Sequence, residues 1–399
     1  MKADDIGGGE GRPPGCKPKV AVSIYRYFPY GGLQKDMLHT VQALLRRDID
    51  VTIFCKSWES NDIPEGVQVR RLRFRGLTNA RKARKFDLTL ERVLKKRNFD
   101  LHLSFNKVSG ADCYFVDDLP FARGKISWWQ RIFSSRFRIY SKMERQVFGR
   151  NSSSAEIFCL TPEQKKRYQA IYSTPESRFT ILPPGVDERF RNGIACRKAR
   201  REAMRNELKL KEDDVALLMI GSAFYGKGVD RAIAAMNALS AENLKHCKLF
   251  VVGRNDHDRL DMFARRCGVD DRVFFLDARN DIPELLSAAD LLVNPARSDA
   301  AGVVLLEALC CGTPVLCTGN CGYAQVVEDA GGIVLSHPFR QTKFNRMLKL
   351  LLSMPGRLEE LQQTAIDWTV PEEFFSRYEA IADIIEKKVH DACCIESSI

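Results

Sequence analysis

Long apolar runs are missing from this chain: none reaches the ~18 residues that a membrane-spanning helix needs, so no helical crossing of a bilayer is expected. The N-terminus lacks the basic region and following apolar stretch of an export signal. Residues 1–18 are acidic, then rich in Gly and Pro, and read as a disordered leader. Zinc spacing is missing too, because Cys317 and Cys321 have no second Cys/His couple. The 13 cysteines are odd in number, and Cys55, Cys113, Cys159, Cys310, Cys311 and Cys317 sit in apolar runs. Reduced thiols packed as small hydrophobes fit this better than disulfides. There is no internal repeat. Neither the Gly-x-Gly-x-x-Gly fingerprint nor a P-loop is present, which excludes those two routes to phosphate binding.

What is present begins with length: 399 residues suffice for two ordinary domains. The net charge of +11 is uneven. Arginines and lysines crowd 70–97. A second basic stretch, Arg123–Arg150, interleaves Trp128, Trp129, Phe133, Phe137 and Tyr140, with Glu144 its only acid. Such a stretch fits an interfacial helix on an anionic membrane, or a sheet-covering helix with solvated arginines. No nucleic-acid motif accompanies the charge, so no nucleic-acid partner is expected.

Apolar strands and helices alternate in two series. Lys19–Ile24, Val51–Cys55, Asp100–Ser104, Asp112–Val116 and Ala155–Cys159 predict strands of one parallel sheet. Ile181-Leu-Pro-Pro-Gly185 ends that pattern, and polar sequence follows to about Asp214. A second series starts at Val215–Ile220. The expected domains are 19–185 and 186–370, with a C-terminal helix at 371–390 able to return to the first. Ligands of doubly wound sheets bind at the C-terminal ends of the strands.

Three segments fall at such ends. Asp299-Ala300-Ala301-Gly302-Val303 is a small-residue turn entering an apolar helix, with Glu307 eight positions after Asp299. A helix start attracts phosphate, and the two carboxylates suit sugar hydroxyls. The plainer reading is a loop before a buried helix. Lys227, between Gly226 and Gly228, is either a phosphate-binding cation or a turn lysine. Gly31 and Gly32 permit close backbone approach, or simply a tight turn. Asp36 is a first-turn acid or a hydroxyl ligand, and Asp118 ends a strand. Asp256-x-Asp258 reads as a solvated acidic pair. No carboxylate or histidine cluster accompanies it, so no metal is expected.

In order along the chain, Phe28–Asp36, Phe105-Asn-Lys107, Ile181–Gly185, Lys227–Arg231, Arg279-Asn-Asp281 and Ala300–Glu307 resemble the GT-B glycosyltransferases of family 4. Among these they are similar to the bacterial lipopolysaccharide core glucosyltransferases. The resemblance spans about Lys19 to Ile385. It implies two Rossmann-like domains facing a central cleft. It also implies retaining transfer without metal or cofactor, from a UDP-sugar, most simply UDP-glucose, to an inner-core heptose of lipopolysaccharide. By the same resemblance Lys227 holds the diphosphate, Glu307 the ribose, and Asp299 with the Ala300–Val303 backbone the donor sugar. Main chain near Arg279 reads the base, Gly31 and Gly32 approach the diphosphate, Asp118 touches the reacting sugar, and Asp36 lies nearby. Arg123–Arg150 becomes a membrane contact, placing the enzyme on the cytoplasmic face of the inner membrane.

Two positions depart from the family pattern. Asp299 stands where the family has Glu, setting the carboxylate about 1.5 Å further back. Gly226 stands where the family has Arg, removing a phosphate-binding cation for which Arg231 and Arg254 are the nearby candidates. Competing readings are a family 4 enzyme with another donor sugar on a different glycolipid, a GT-B epimerase or hydrolase, and a non-catalytic basic membrane-binding protein.

Overall fold

A computed structural model describes residues 17–29, 31–60, 63–121 and 134–396. Trp128, Trp129 and Phe133 of the basic aromatic stretch lie outside the described residues. The chain divides into two compact units: 1–182 with 377–399, and 183–376.

The first unit is built on a seven-stranded parallel sheet of order β5-β3-β1-β6-β7-β8-β9. Its strands are β1 (Lys19–Ser23), β3 (Asp50–Cys55), β5 (Gln68–Arg71), β6 (Leu101–Ser104), β7 (Cys113–Phe115), β8 (Glu156–Cys159) and β9 (Phe179–Ile181). A small pair, β2 (Arg26–Tyr27) and β4 (Ser57–Trp58), stands apart. Val20, Ala21 and Val22 are fully buried, as an unbroken apolar run on a central parallel strand should be. Edge strand β5 instead exposes Arg70 and Arg71, charges that discourage edge-to-edge pairing. Helices α1 (Gly32–Arg46), α2 (Asn79–Leu94), α3 (Ser135–Phe148) and α4 (Pro162–Tyr172) follow β2, β5, β7 and β8. The C-terminal helix Arg377–Glu396 packs on α1. Arg47 ties the two together, reaching Glu379 at 2.6 Å and Asp383 at 2.5 Å.

The second unit has a six-stranded parallel sheet of order β12-β11-β10-β13-β14-β15. These are β10 (Val215–Ile220), β11 (Cys247–Val252), β12 (Val273–Leu276), β13 (Leu291–Asn294), β14 (Val315–Thr318) and β15 (Ile333–Leu335). Its helices are α5 (Gly193–Glu207), α6 (Phe224–Lys227), α7 (Val229–Asn237), α8 (Ala241–His246) and α9 (Asp258–Cys267), then α10 (Ile282–Ala288), α11 (Val303–Cys310), α12 (Ala324–Asp329), α13 (Gln341–Ser353) and α14 (Arg357–Asp367). Helix α5 occupies sequence that reads as a polar junction. Its Arg197 is buried and donates to the Cys311 carbonyl at 2.8 Å and Thr313 Oγ1 at 2.9 Å, satisfying the end of α11.

In both sheets the chain winds outward from the first strand, then reverses. The reversal leaves a crevice at the strand ends, between β1 and β6 in the first unit and between β10 and β13 in the second. The described cysteines are free thiols, and most are buried. Burial pushes the Cys159 thiol up to about 12 and keeps it protonated.

Candidate active site

At the crevice of the second unit, β10 runs into Gly221, whose φ of +138° few side chains adopt. A Cβ there would stand 2.9 Å from Lys227 Cε. Its absence lets the lysine lie across the strand end. The short helix α6 then closes at Gly228, with φ +82°. A Cβ on Gly228 would come within 2.2 Å of the Pro295 carbonyl oxygen, so this turn is pressed against the segment leaving β13. Arg231 donates to that carbonyl at 2.9 Å. Arg297 grips the other side with two 2.7 Å bonds to Asp230 and one of 2.8 Å to the Tyr225 carbonyl.

The result is a fixed lysine. Lys227 Nζ donates to Asp299 Oδ2 at 2.5 Å, and Asn294 Nδ2 reaches the same oxygen at 3.1 Å. Burial disfavours the ammonium, but the Asp299 carboxylate, with smaller help from Cys321 and Glu307, holds its pKa above the usual lysine range. One of its three protons serves Asp299, leaving the others for a ligand oxygen. The Asp299–Gly302 loop is pinned by Gly322 N to the Asp299 carbonyl (3.2 Å) and Tyr323 N to the Ala301 carbonyl (2.8 Å). Gly302, at φ +78°, opens α11 with no side-chain cap. Leu305 N bonds to the Gly302 carbonyl (2.9 Å), while the amides of Val303 and Val304 have no intrahelical partner beside a half-buried cation, a pairing suited to a multiply charged anion. Glu307 is half-buried on the second turn.

The Arg279 guanidinium is committed to Asp281 (2.8 Å) and Glu207 (2.7 Å), so its side chain is tied within the protein. The cation missing at Gly226 is not restored by Arg231, which stacks on Phe339 at 3.8 Å besides holding Pro295. Arg254 is exposed. Asp256 Oδ1 accepts from Asp258 N at 3.1 Å, a local turn opening α9. Contrary to the sequence expectation, a histidine and carboxylates do group beside it: the ligand atoms of His257, Asp258 and Asp261 lie within 4.8 Å of one another because the first turn of the helix brings them together.

The crevice of the first unit is stitched by Asn106. Its Oδ1 accepts from Tyr25 N, while Ser104 Oγ donates to its carbonyl at 2.7 Å. A Cβ on Gly31 would lie 1.8 Å from Gln34 Oε1 and 2.7 Å from Phe28 Cε2, so both side chains would have to shift, whereas a Cβ on Gly32 meets nothing within 4 Å. Helix α1 has no acid in its first turn. Asp36 lies one turn later, accepting from Arg377 Nη1 at 3.1 Å and Tyr378 OH at 2.9 Å. Asp118 accepts from Lys107 Nζ at 2.6 Å and Tyr168 OH at 2.8 Å. Lys107 also meets the fully buried Glu144 at 2.7 Å, so the one acid of the basic stretch is an internal counter-ion. Asp117 carries the perturbed carboxyl of the group. Burial, then Asp118, raise it to about 7, with Lys107 opposing and Asp36 adding to the rise.

Sequence reasoning missed Asn294 and the Lys107–Glu144 pair. A polar residue closing the apolar strand Leu291–Asn294 was the available signal for the first. Nothing local announces the second.

Two doubly wound parallel sheets, the second with a pinned lysine beside an uncapped helix start, define a two-domain α/β protein with a crevice at the strand ends of each sheet. Comparison with known proteins narrows this. The family model described as Glycosyltransferase Family 4 matches residues 30–190, and that described as Glycosyl transferases group 1 matches 200–368. The chain is 36% identical over 373 residues to lipopolysaccharide glucosyltransferase WaaG of Escherichia coli K12, covering 92% of this chain and 98% of that protein. It is 25% identical over 368 residues to a D-inositol 3-phosphate glycosyltransferase of Rhodococcus erythropolis, covering 84% and 81%. The crystal structure of WaaG superposes with a TM-score of 0.87 at 34% identity, over 92% of this chain and 99% of that one. Anabaena Alr3699/HepE in complex with UDP and glucose shares the fold, with a TM-score of 0.64 at 14% identity over 96% and 100%. The chain belongs to the family 4 glycosyltransferases and has their GT-B architecture of two parallel-sheet α/β domains.

Proposed function

We propose that the protein transfers glucose from UDP-glucose to an inner-core heptose of lipopolysaccharide, with retention of configuration and without a metal. The observation that carries this reading is Lys227 held 2.5 Å from Asp299 at the uncapped start of α11. In the reading, Lys227 and the α11 amides receive the diphosphate, Glu307 the ribose hydroxyls, and Asp299 with Ala300–Val303 the sugar. Main chain at Arg279 faces the base. Gly31, Gly32, Asp36 and Asp118 keep the roles that the resemblance assigns.

The chemistry follows from charge. Breaking the bond between the sugar's anomeric carbon and the diphosphate leaves negative charge on the phosphate oxygens. Fixed donors aimed there lower the barrier most. The acceptor hydroxyl oxygen bonds to the same face of that carbon, and its proton passes to the departing diphosphate. A lysine and a helix start supply the stabilisation that a metal supplies elsewhere. Lipid acceptors place the enzyme at the cytoplasmic face of a membrane. Among the described residues no helix is long and apolar enough to cross one.

Calorimetry with UDP and UDP-glucose tests the donor site: both bind, and Lys227→Ala and Glu307→Ala each weaken binding ~10-fold or more. Product analysis on a heptose-terminated acceptor must then show an α-linked hexose, formed equally in EDTA. A wild-type protein that binds no nucleotide sugar would overturn the reading.

A further inference from the structure

A cavity of about 560 Å³ opens in the first unit beside the ends of β1 and β6. It is within the size range of small-molecule sites. Five cations line it: Arg26 and Lys107, which are paired with Glu59 and with Asp118 and Glu144, and three more from separate elements, Lys56 after β3, Lys82 on α2 and Arg136 on α3. Among the described residues, none of the three has a carboxylate within ion-pair distance. Lys56 lies over the rings of Tyr25 (5.4 Å) and Phe74 (5.9 Å), and Arg136 over Phe121 and Tyr140 (6.0 Å each). Yet Asp117 and Asp118 line the same cavity. Asp118 is already engaged by Lys107 and Tyr168. Cations that share a cavity wall without internal counter-ions give it a positive potential, which draws an anionic ligand.

We propose that this cavity seats the acceptor saccharide through an anionic substituent, a phosphate or carboxylate, held by Lys56, Lys82 and Arg136. The proposal rests on the glycosyltransferase reading above and adds the acceptor's charge and place. A saccharide uses both halves of the lining. Its anion meets the cations, its hydroxyls donate to the Asp117–Asp118 side, and its C–H faces lie against the aromatic rings. A lipid phosphate alone would use the cations and leave two carboxylates beside an anion. That mixed lining favours a charged sugar over a headgroup.

The test uses the full chain, UDP-glucose and a de-acylated lipopolysaccharide core saccharide ending in heptose. The saccharide is supplied native, phosphatase-treated and carboxyl-reduced. In Lys82→Ala/Arg136→Ala the KM for the native saccharide should rise ~10-fold or more, as for lost charge-assisted contacts. UDP affinity, measured by calorimetry, should stay at the wild-type value, and an unshifted thermal transition of the first unit, which carries both substitutions, shows that the variant is folded. One of the two discharged saccharides should show the same KM rise on the wild type and little further rise on the variant. The charge-preserving Lys82→Arg/Arg136→Lys should recover most of the native KM. An unchanged saccharide KM overturns the proposal. So does loss of binding to phosphatidylglycerol vesicles with the saccharide KM intact, which would assign the cations to headgroups. Failure of the wild type to bind UDP would instead sink the underlying reading, and is distinguishable from either.

Discussion

Asp299 shares one oxygen between Lys227 and Asn294, and this constrains what its substitution can do. Asp299→Asn keeps the shape but removes the charge that raises the lysine's pKa, leaving burial to lower it. Glu307 still favours the ammonium, and a competing carboxylate is gone. UDP should therefore bind as well as before or more tightly, while kcat/KM for UDP-glucose falls ~10-fold or more, about 1.4 kcal/mol of lost sugar contact. Equal losses in both would reduce Asp299 to a support for Lys227. Gly226 allows the opposite experiment. A Cβ there meets only Ala223 Cβ at 3.6 Å, ordinary contact, and the position lies within α6. Gly226→Arg should fold normally and tighten UDP ~10-fold, from about 1.5 kcal/mol of charge-assisted hydrogen bonding. Unchanged affinity would mean that position 226 does not face the diphosphate. Asp117 gives a pH signature. Its carboxyl is raised to about 7, chiefly by burial and Asp118, so the folded state holds its proton more tightly than the unfolded one. The stability this brings is complete below the ordinary carboxyl range and is lost as pH rises through about 7. Asp117→Asn removes the dependence. Its Tm relative to wild type should be more favourable at pH 8 than at pH 4.5, and a constant difference would contradict the assignment.

At the scale of elements, two glycines separate backbone strain from crowding. Gly268 closes α9 at φ +66°, and a Cβ added there would meet nothing within 4 Å, so Gly268→Ala should cost ~1–2 kcal/mol, the left-handed penalty alone. Gly228 adds a Cβ 2.2 Å from the Pro295 oxygen to φ +82°. Gly228→Ala should cost ~3 kcal/mol or more and weaken UDP by shifting Lys227, both readable from urea melts and calorimetry. Equal costs at the two glycines would show that the turn is not pressed on β13. Such elements were unevenly legible in the sequence. The central strands β1 and β10 announce themselves as unbroken apolar runs, and the turn-to-helix segments at Lys227 and Asp299 follow from their glycines. Helices α2 and α5 did not stand out, because arginine and lysine dominate their composition. Their inward faces are short, Ala80, Phe86 and Leu90 in one, Arg197 and Met204 in the other. In α5 the buried partners are partly arginines bonded to carbonyls, which no hydropathy pattern marks. Lys227 and Asp299 are 72 residues apart, and only the strand order brings them together.

At the scale of the whole molecule, the first unit is discontinuous: its last helix comes from the end of the chain, after the second unit is complete. Its closing contacts span more than three hundred residues, as in Arg377 to Asp36, 341 positions apart. Closing a loop that long costs little more than closing one half its length, because the entropy grows only with the logarithm of length. The burden falls on packing, and Arg377 is the residue on which it concentrates. Its side chain is fully buried and faces Asp36, which is itself 14% exposed. Arg377→Met keeps the volume but takes the buried cation from the partly exposed Asp36 carboxylate, with Tyr378 OH still donating to it at 2.9 Å. The cost should fall at the lower end for a broken buried pair, about 3 kcal/mol. For a domain of this size that is a drop of about 6–12 °C in Tm. On the proposed reading UDP is held by the donor site of the second unit, and a ligand stabilises what it binds. Scanning calorimetry should therefore resolve the two effects, UDP raising one transition and Arg377→Met lowering the other, with the UDP affinity of the variant unchanged at 25 °C. If the variant loses UDP binding while the first transition stays in place, Arg377 is acting on the donor site, and its role as the clasp of the first unit is wrong.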